Sequence, residues 1–271
     1  MSNSHYENFP VASPLLPARL RAPIRVIYAF ARSADDIADE GDLHADARLD
    51  GLNNYEFELN CIENGLQPQT PLFRELQIVI KKHRLTLLPL RDLLSAFRQD
   101  VIKTRYASFE ELLDYCTRSA NPVGRIMLAL FEEKSAIAIK QSDQICSALQ
   151  LINFLQDIAI DWGKSRVYLP QEDLKKFHVS EEQIANAQLD YNWRVMMQFE
   201  VNRARQMLLG GAPLARQLPG RMGWELRLIV QGGLRILEKI EAVNYDVFHH
   251  RPKLIIKDWI IMLWRAIANV S

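Results

Sequence analysis

Apolar side chains recur three or four positions apart along nearly the whole chain, as in Leu90, Leu93, Leu94, Phe97 and Val101. This spacing is typical of helices, and alternating strand-like runs between glycine-rich turns are missing. Breaks in the pattern fall near residues 41–50, 64–70, 87–89, 106–108, 119–122, 163–170, 210–213 and 249–252. The sequence therefore predicts an all-α fold of about eight to ten helices. Because no linker, repeat or low-complexity tract divides it, residues 1–271 are expected to form a single domain.

Three helix starts have local signals. Ser108 and Ser180 are each followed by glutamates, as is typical of helix N-caps with acidic first turns. Pro252 favours a new helix directly after Arg251, because proline is tolerated in a first helical turn.

A narrow polar stripe lies on one predicted helix, Ser147 to Trp162, which is otherwise apolar nearly all round. Its members stand three or four positions apart and are Gln150, Asn153, Asp157 and Asp161. With about 3.6 residues per turn, Gln150 and Asp161 point nearly the same way, and the two aspartates lie about 6 Å apart along the axis. A surface helix has a wide polar face, so this stripe predicts a central helix lining an internal cavity.

A second stripe follows the apolar run from Ile24 to Ala31 and consists of Tyr28, Arg32, Asp35, Asp36 and Asp39. Carboxylates without histidine offer only hard oxygen ligands, which suit magnesium better than zinc or iron. If the two helices face each other, five aspartates bracket a space in which magnesium would hold a diphosphate and withdraw charge from its leaving oxygen. Buried unpaired carboxylates are unfavourable, so cations are expected in the same cavity.

Each of these features also has a purely structural interpretation. A single Asp-x-x-x-Asp on a helix is usually a solvated face, but two such stripes on apolar helices favour a metal site. Arg166 and Tyr168 follow the second stripe and are either loop residues or, as we favour, a cation and a phenol beside the diphosphate. The segment 121–124 either only breaks a helix or opens room for a long substrate, and both interpretations stay open.

The composition of the chain limits which binding partners and which cellular compartment are expected for the protein. With 33 basic and 33 acidic residues the formal net charge is zero, so nucleic acid is not an expected partner. Three widely separated cysteines build neither a disulfide framework nor a zinc knuckle, which favours a reducing, cytoplasmic compartment. Residues 1–18 lack the pattern of a signal peptide, and no stretch has the roughly 18 to 20 apolar residues needed to span a bilayer.

Three segments carry a family likeness, namely 28–39 (YAFARSADDIAD), 150–161 (QLINFLQDIAID) and 163–170 (GKSRVYLP). They resemble the two aspartate-rich motifs of the squalene and phytoene synthase family, head-to-head prenyl transferases with the all-helical isoprenoid synthase fold. The likeness covers nearly the whole chain and includes 7–13 (ENFPVAS), 115–124 (YCTRSANPVG) and 245–248 (YDVF). Within the family, residues 7–13 and 29–36 most resemble the bacterial hydroxysqualene synthases of hopanoid biosynthesis.

The resemblance implies a helical bundle with a central cavity and a role for each motif residue. About two to three magnesium ions would be held with the substrate diphosphate by Asp35, Asp36, Asp39, Asn153, Asp157 and Asp161. Arg32, Arg166 and Tyr168 would grip the diphosphate, and Tyr28 and Gln150 would lie near the reacting carbons. In the subfamily, presqualene diphosphate is ionised and water captures the rearranged cation to give hydroxysqualene, so NADPH is not expected.

Three alternatives remain beside this function. A squalene or phytoene synthase would condense two farnesyl or two geranylgeranyl diphosphates head to head. A non-enzymatic relative acting as an assembly factor would be expected to lose aspartates, yet both motifs are whole. A di-iron carboxylate bundle needs Glu-x-x-His pairs, and none of the six histidines stands three positions after a glutamate.

The C-terminal segment has two interpretations. Lys257, Asp258 and Arg265 interrupt it, so it is not expected to span a membrane. Its apolar residues, with basic residues nearby, fit either a terminal core helix, which we favour, or a helix on a membrane surface. These apolar residues are Trp259, Ile260, Met262, Leu263, Trp264 and Ile267, and the basic ones are His249, His250, Arg251 and Lys253.

Overall fold

The computed structural model describes residues 17–268, which contain fourteen helices and no strand. The predicted all-α class is confirmed, but the number of helices exceeds the predicted eight to ten because four of them are short. The resemblance segment 7–13 lies outside the described residues. Ten helices have ten or more residues: α1 (Ala18–Asp39), α2 (Ala45–Glu63), α3 (Pro71–His83), α4 (Leu88–Ile102), α5 (Phe109–Ser119), α6 (Asn121–Leu130), α7 (Ala136–Gln156), α11 (Tyr191–Gly211), α13 (Gly220–Ala242) and α14 (Ile256–Ala268). Four are short: α8 (Ile158–Gly163), α9 (Gln171–Lys176), α10 (Glu181–Ala185) and α12 (Leu214–Gln217).

Helix α7 lies at the centre of the fold. It packs against α5, α6, α11 and α13, and its apolar faces contribute to the larger of two buried clusters. The smaller cluster is built mainly by α1, α2, α3 and α4, with Ile126 and Leu130 added from α6. Helix α6 approaches α7 closely because Gly124 has no side chain, and a Cβ there would come within 2.3 Å of the Ser142 hydroxyl oxygen. Helix α6 thus contributes side chains to both clusters and links the cluster around α7 to the cluster that contains α1.

The predicted N-caps are confirmed, but the predicted start at Pro252 is wrong. Ser108 and Ser180 each accept a hydrogen bond from the backbone N–H three residues on. The last helix begins only at Ile256. Residues 251–255 before it are not helical, and the Pro252 carbonyl accepts a 2.5 Å hydrogen bond from the buried Gln156 amide. Among the helices of residues 17–268, none is both long and apolar enough to cross a membrane.

The prediction of one continuous helix from Ser147 to Trp162 is also wrong. Helix α7 ends at Gln156 and α8 begins at Ile158, with Asp157 between them at φ −110° and ψ 15°. The Asp157 N–H still donates to the Asn153 carbonyl (2.9 Å), and its own carbonyl accepts from the Asp161 N–H (2.8 Å). Helical hydrogen bonding therefore continues on both sides, but Gln150 and Asp161 do not belong to one regular helix.

Candidate active site

An apolar cavity of about 510 Å³ lies between α1, α4 and α6. Its walls are mostly aliphatic and aromatic, with contributions from Ile27, Phe97 and Met127. Three residues of the first motif, Tyr28, Arg32 and Asp35, line the same cavity. A volume of this size with a few convergent polar groups is typical of a small-molecule site. The first aspartate motif is therefore one polar boundary of an apolar cavity.

Within the first motif, Arg32 forms ion pairs with two aspartates on the same helix, Asp35 and Asp36. Its guanidinium lies 2.7 Å from an Asp36 carboxylate oxygen and 3.5 Å from one of Asp35. Burial, and then the nearby Asp39 carboxylate, nevertheless raise the pKa of Asp35 to about 6. Arg32 thus compensates only part of the negative charge at this end of α1.

Asp39, at the end of α1, connects the first motif to the segment that directly follows the second motif. Burial opposes its charge, but Arg166, at 2.5 and 2.9 Å, and Lys164, at 3.2 Å, hold the pKa of Asp39 below its usual range. Arg166 also donates a 3.0 Å hydrogen bond to the backbone carbonyl of Asp100. Because Lys164 and Arg166 follow the second motif directly, these ion pairs bring the first motif next to the segment after the second.

The segment carrying Arg166 and Tyr168 is fixed by backbone and ring contacts. The Val167 N–H donates to the Thr104 carbonyl at 2.9 Å, beside an isolated bridge between Arg105 and Val167. The Tyr168 ring stacks on Phe154 of α7, with ring centroids 3.8 Å apart and planes 6° from parallel. Tyr168 is buried, and burial raises the pKa of its phenol, so it stays neutral and able to donate a hydrogen bond.

The second motif is held by a partner from far along the chain. Arg251 donates two hydrogen bonds to the Asp157 carboxylate, at 2.5 and 3.1 Å. Burial, and then Asp157, raise the pKa of Asp161 to about 7. Asn153 is exposed and Gln150 is half-buried, and neither lines the 510 Å³ cavity.

Three functional candidates were missing from the sequence interpretation: Asp100, Lys164 and Arg251. Asp100 is buried, accepts a 2.8 Å hydrogen bond from the Tyr115 hydroxyl, and has its pKa raised to about 7 mainly by burial. The sequence does contain a signal for Asp100, because it continues the helical spacing of the buried residues Leu93 and Phe97 and so predicts a carboxylate on the buried face of α4.

The donor set fits a hard divalent cation, although the carboxylates are not gathered around one. Within residues 17–268, no three acidic, histidine or cysteine side chains are grouped closely enough to hold a metal ion. Instead Asp36, Asp39 and Asp157 each lie against an arginine. Burial, and then neighbouring aspartates, raise the pKa values of Asp35 and Asp161, and a nearby cation would favour the ionised form of both groups. Oxygen donors with excess negative charge are what magnesium requires.

Comparisons with known proteins identify the family of this chain. A family model described as squalene/phytoene synthase matches residues 2–256. A hydroxysqualene synthase of Sinorhizobium fredii is 35% identical over 241 residues, covering 87% of this chain and 80% of the relative. A 15-cis-phytoene synthase of Synechocystis is 32% identical over 257 residues, covering 90% of this chain and 76% of the relative.

A solved structure supports the fold independently. The squalene synthase HpnC of Alicyclobacillus acidocaldarius superimposes with a TM-score of 0.83 at 37% sequence identity, covering 89% of this chain and 90% of that one. Members of this family are enzymes that act on prenyl diphosphates and generally depend on metal ions. The described structure is all-α and has the isoprenoid synthase fold. On the match over residues 2–256 and these relatives, the chain belongs to the squalene/phytoene synthase family.

Proposed function

We propose that this enzyme ionises presqualene diphosphate with the help of magnesium and quenches the rearranged cation with water, giving hydroxysqualene. The observation that carries the proposal is the Asp39–Arg166 ion pair, which joins the first aspartate motif to the segment directly after the second, together with the apolar cavity that the first motif lines. The 35% identity to a hydroxysqualene synthase supports this choice of reaction within the family.

The metal would be held by carboxylate and amide oxygens of both motifs. In this assignment the ligands are Asp35, Asp36, Asp39, Asn153, Asp157 and Asp161. When bound, magnesium supplies Lewis-acid neutralisation of the departing diphosphate. Because the carboxylates that now face arginines would turn to the metal, binding is expected to redistribute the ion pairs of the site.

The arginines and lysine of the site have a second role in this proposal. Arg166 and Lys164 share the Asp39 carboxylate, and Arg32 spans Asp35 and Asp36. The guanidinium groups would donate to phosphate oxygens of the substrate, for which their planar, two-pronged geometry is suited. Tyr168, neutral and stacked on Phe154, would donate a further hydrogen bond beside Arg166.

The apolar cavity would receive the hydrocarbon chains. Aliphatic and aromatic walls exclude bulk water, and a ring such as that of Phe97 or Tyr28 attracts a carbocation through its π face. Tyr28 stands one helical turn before Arg32, so the cation would form near the diphosphate end of the cavity. Gln150 does not line this cavity, and its assignment beside the reacting carbons rests on the family resemblance alone.

Head-to-head condensation is the second candidate. It is favoured by the 32% identity to a 15-cis-phytoene synthase over 90% of this chain. That reaction would use the same diphosphate site but would need room for two farnesyl or two geranylgeranyl diphosphates.

A substrate comparison tests the proposal. Purified enzyme is incubated with presqualene, farnesyl or geranylgeranyl diphosphate and magnesium, each with and without NADPH and excess chelator. We expect hydroxysqualene from presqualene diphosphate without NADPH, and no turnover in chelator. Phytoene from geranylgeranyl diphosphate, with presqualene diphosphate left unused, would replace the proposal by the second candidate. Full activity in excess chelator would exclude the metal mechanism.

A further inference from the structure

The cavity of about 510 Å³ is bordered by two polar residues that the diphosphate site does not use. Three of its polar residues, Tyr28, Arg32 and Asp35, belong to the first aspartate motif. The other two are Ser119, the last residue of α5, and Glu225 of α13. The remaining residues that line the cavity are apolar. These two residues are therefore the polar groups of the cavity that have no role yet in the proposed reaction.

The hydroxyl group of Ser119 has no hydrogen-bond partner among residues 17–268. Its oxygen is buried, and the residue borders the cavity. Leaving a buried hydroxyl without a partner is unfavourable, and ordered water commonly satisfies such groups. Because no hydrogen bond fixes the side chain, rotation about its Cα–Cβ bond can turn the oxygen toward a water molecule in the cavity. Ser119 can therefore hold water in a wall that is otherwise mostly apolar.

The end of α5 lies on the side of the cavity that adjoins the proposed diphosphate site. Tyr115, one helical turn before Ser119, donates a 2.8 Å hydrogen bond to the Asp100 carboxylate. The backbone carbonyl of Asp100 accepts a hydrogen bond from Arg166, which binds Asp39. Since one turn of helix rises only about 5.4 Å, Ser119 lies near the end of the cavity at which the substrate would ionise.

We infer that Ser119 holds the water molecule that quenches the carbocation and that Glu225 accepts the proton of this water. The inference rests on the proposed function, because only a water-quenched cation needs such a site. A lone pair of the water oxygen forms the C–O bond with the cationic carbon, and the resulting oxonium ion loses one proton to the Glu225 carboxylate. The neutral alcohol and a protonated Glu225 result, and the step uses neither an oxidant nor a reductant.

A single held water also accounts for the formation of one alcohol in an apolar cavity. Without water, the cation ends by losing a proton from a neighbouring carbon, which gives a hydrocarbon with one more double bond. With bulk water, every cation formed along the rearrangement is captured. A water held at a fixed position attacks the carbon that lies beside it.

The variants Ser119→Val and Ser119→Thr form a matched pair, because their side chains have nearly the same shape and differ in the hydroxyl group. Each is incubated with presqualene diphosphate and magnesium without NADPH, and hydroxysqualene is measured per diphosphate released. This ratio does not depend on how fast a variant ionises the substrate. We expect the ratio to be at least about fivefold lower in S119V than in S119T, with a hydrocarbon in place of the alcohol.

Glu225→Gln removes the proton acceptor and keeps the size of the side chain, so we expect it to lower the same ratio. Glu241→Gln is its control, because Glu241 is half-buried on the same helix but does not line the cavity. Ser142→Ala is the control for loss of a buried hydroxyl, since Ser142 of α7 also lies outside the cavity lining. Both controls should give the wild-type ratio.

The possible results separate this inference from the proposed function. If the wild type forms hydroxysqualene, equal ratios for S119V and S119T would overturn the assignment of Ser119, and a wild-type ratio in E225Q would overturn that of Glu225. In both cases the proposed function would stand. A wild type that releases diphosphate without forming the alcohol would overturn the proposed function and this inference with it. Circular dichroism checks that each variant retains its helices.

Discussion

At the scale of single residues, the motif carboxylates differ in how their charge is balanced. Asp157 and Asp39 are each held by an arginine through two hydrogen bonds. Asp35 and Asp161 have pKa values raised to about 6 and about 7, in each case mainly by burial. The arginines therefore stabilise the ionised form of Asp39 and Asp157, whereas burial disfavours the ionised form of Asp35 and Asp161, which an added cation would stabilise.

Asp157→Asn tests whether that carboxylate is a ligand or only an ion-pair partner. Its control is Asp143→Asn, because Asp143 is bound by Arg125 in the same two-pronged way and has 22% side-chain exposure against 25% for Asp157. We expect D157N to lower kcat about a hundredfold or more and D143N to leave it unchanged, since only Asp157 would hold metal. Steady-state kinetics across magnesium concentrations is the measurement. Equal activity of the two variants would reduce Asp157 to a structural residue.

Arg166→Lys tests diphosphate recognition. Lysine keeps the positive charge but loses the planar fork, so inhibition by inorganic diphosphate should weaken about tenfold. Arg125→Lys makes the same change at the Arg125–Asp143 pair and should leave inhibition unaltered. If both variants retain wild-type inhibition constants while unfolding normally, Arg166 is a loop residue that serves only Asp39.

The contacts of the candidate site that could be predicted from the sequence are those between residues close together along the chain. Asp35, Asp36 and Asp39 are predicted from helical spacing alone, since all contacts that define the stripe are local. Arg251 was missed because it meets Asp157 across 94 positions, and no local pattern encodes that pairing. The association of Arg166 with Asp39 likewise depends on tertiary packing that brings α1 beside the segment after α8.

At the scale of helices, the long helices follow from apolar periodicity and the short ones do not. Helices α8, α9, α10 and α12 have four to six residues, fewer than two turns, so a 3.6-residue repeat is not detectable in them. The interruption at Asp157 has a tertiary origin. Arg251 binds its carboxylate and the Pro252 carbonyl binds Gln156, so the chain departs from helical geometry where the loop before α14 docks.

The contact between α7 and α11 gives a prediction for stability. A Cβ at Gly211 would lie 2.5 Å from the Gln141 carbonyl oxygen and 3.1 Å from the Ile145 backbone nitrogen, so Gly211→Ala should destabilise the protein by about 1–3 kcal/mol. Gly210→Ala is the control, because its Cβ would meet only the flexible Gln144 amide at 3.2 Å. It should be neutral or stabilising by up to about 1 kcal/mol. Urea unfolding of both variants measures the difference, and an equally stable G211A would show that α7 and α11 separate easily.

At the scale of the whole molecule, a buried acidic pair links stability to pH. Glu200 and Asp173 are both buried and share Arg203, at 3.2 and 2.9 Å. Burial raises the pKa of Glu200 above its ordinary value of 4.5, while Arg203 opposes the shift and Asp173 adds to it. At pH values between the pKa of Glu200 in the unfolded state and its higher pKa in the folded state, the folded protein therefore keeps a proton that the unfolded protein has lost. The stabilisation is complete below the unfolded pKa and disappears as pH rises through the folded value.

Glu200→Gln should flatten this pH dependence. Glutamine is a neutral isostere of the protonated acid, so E200Q should lose less unfolding free energy than the wild type between about pH 5 and about pH 8. Glu110→Gln, at an exposed position of α5, should keep the wild-type slope. Urea unfolding at several pH values gives the slopes. Identical slopes for E200Q and wild type would exclude proton uptake by Glu200.

The central claim is that water quenches the carbocation, and a reaction in isotopically labelled water tests this claim most directly. Wild-type enzyme is given presqualene diphosphate and magnesium in isotopically labelled water, without any reductant, and the product is examined by mass spectrometry. The account predicts hydroxysqualene carrying one oxygen atom from the labelled water. Squalene formed only when NADPH is supplied, with no alcohol in its absence, would contradict the water-quenching assignment.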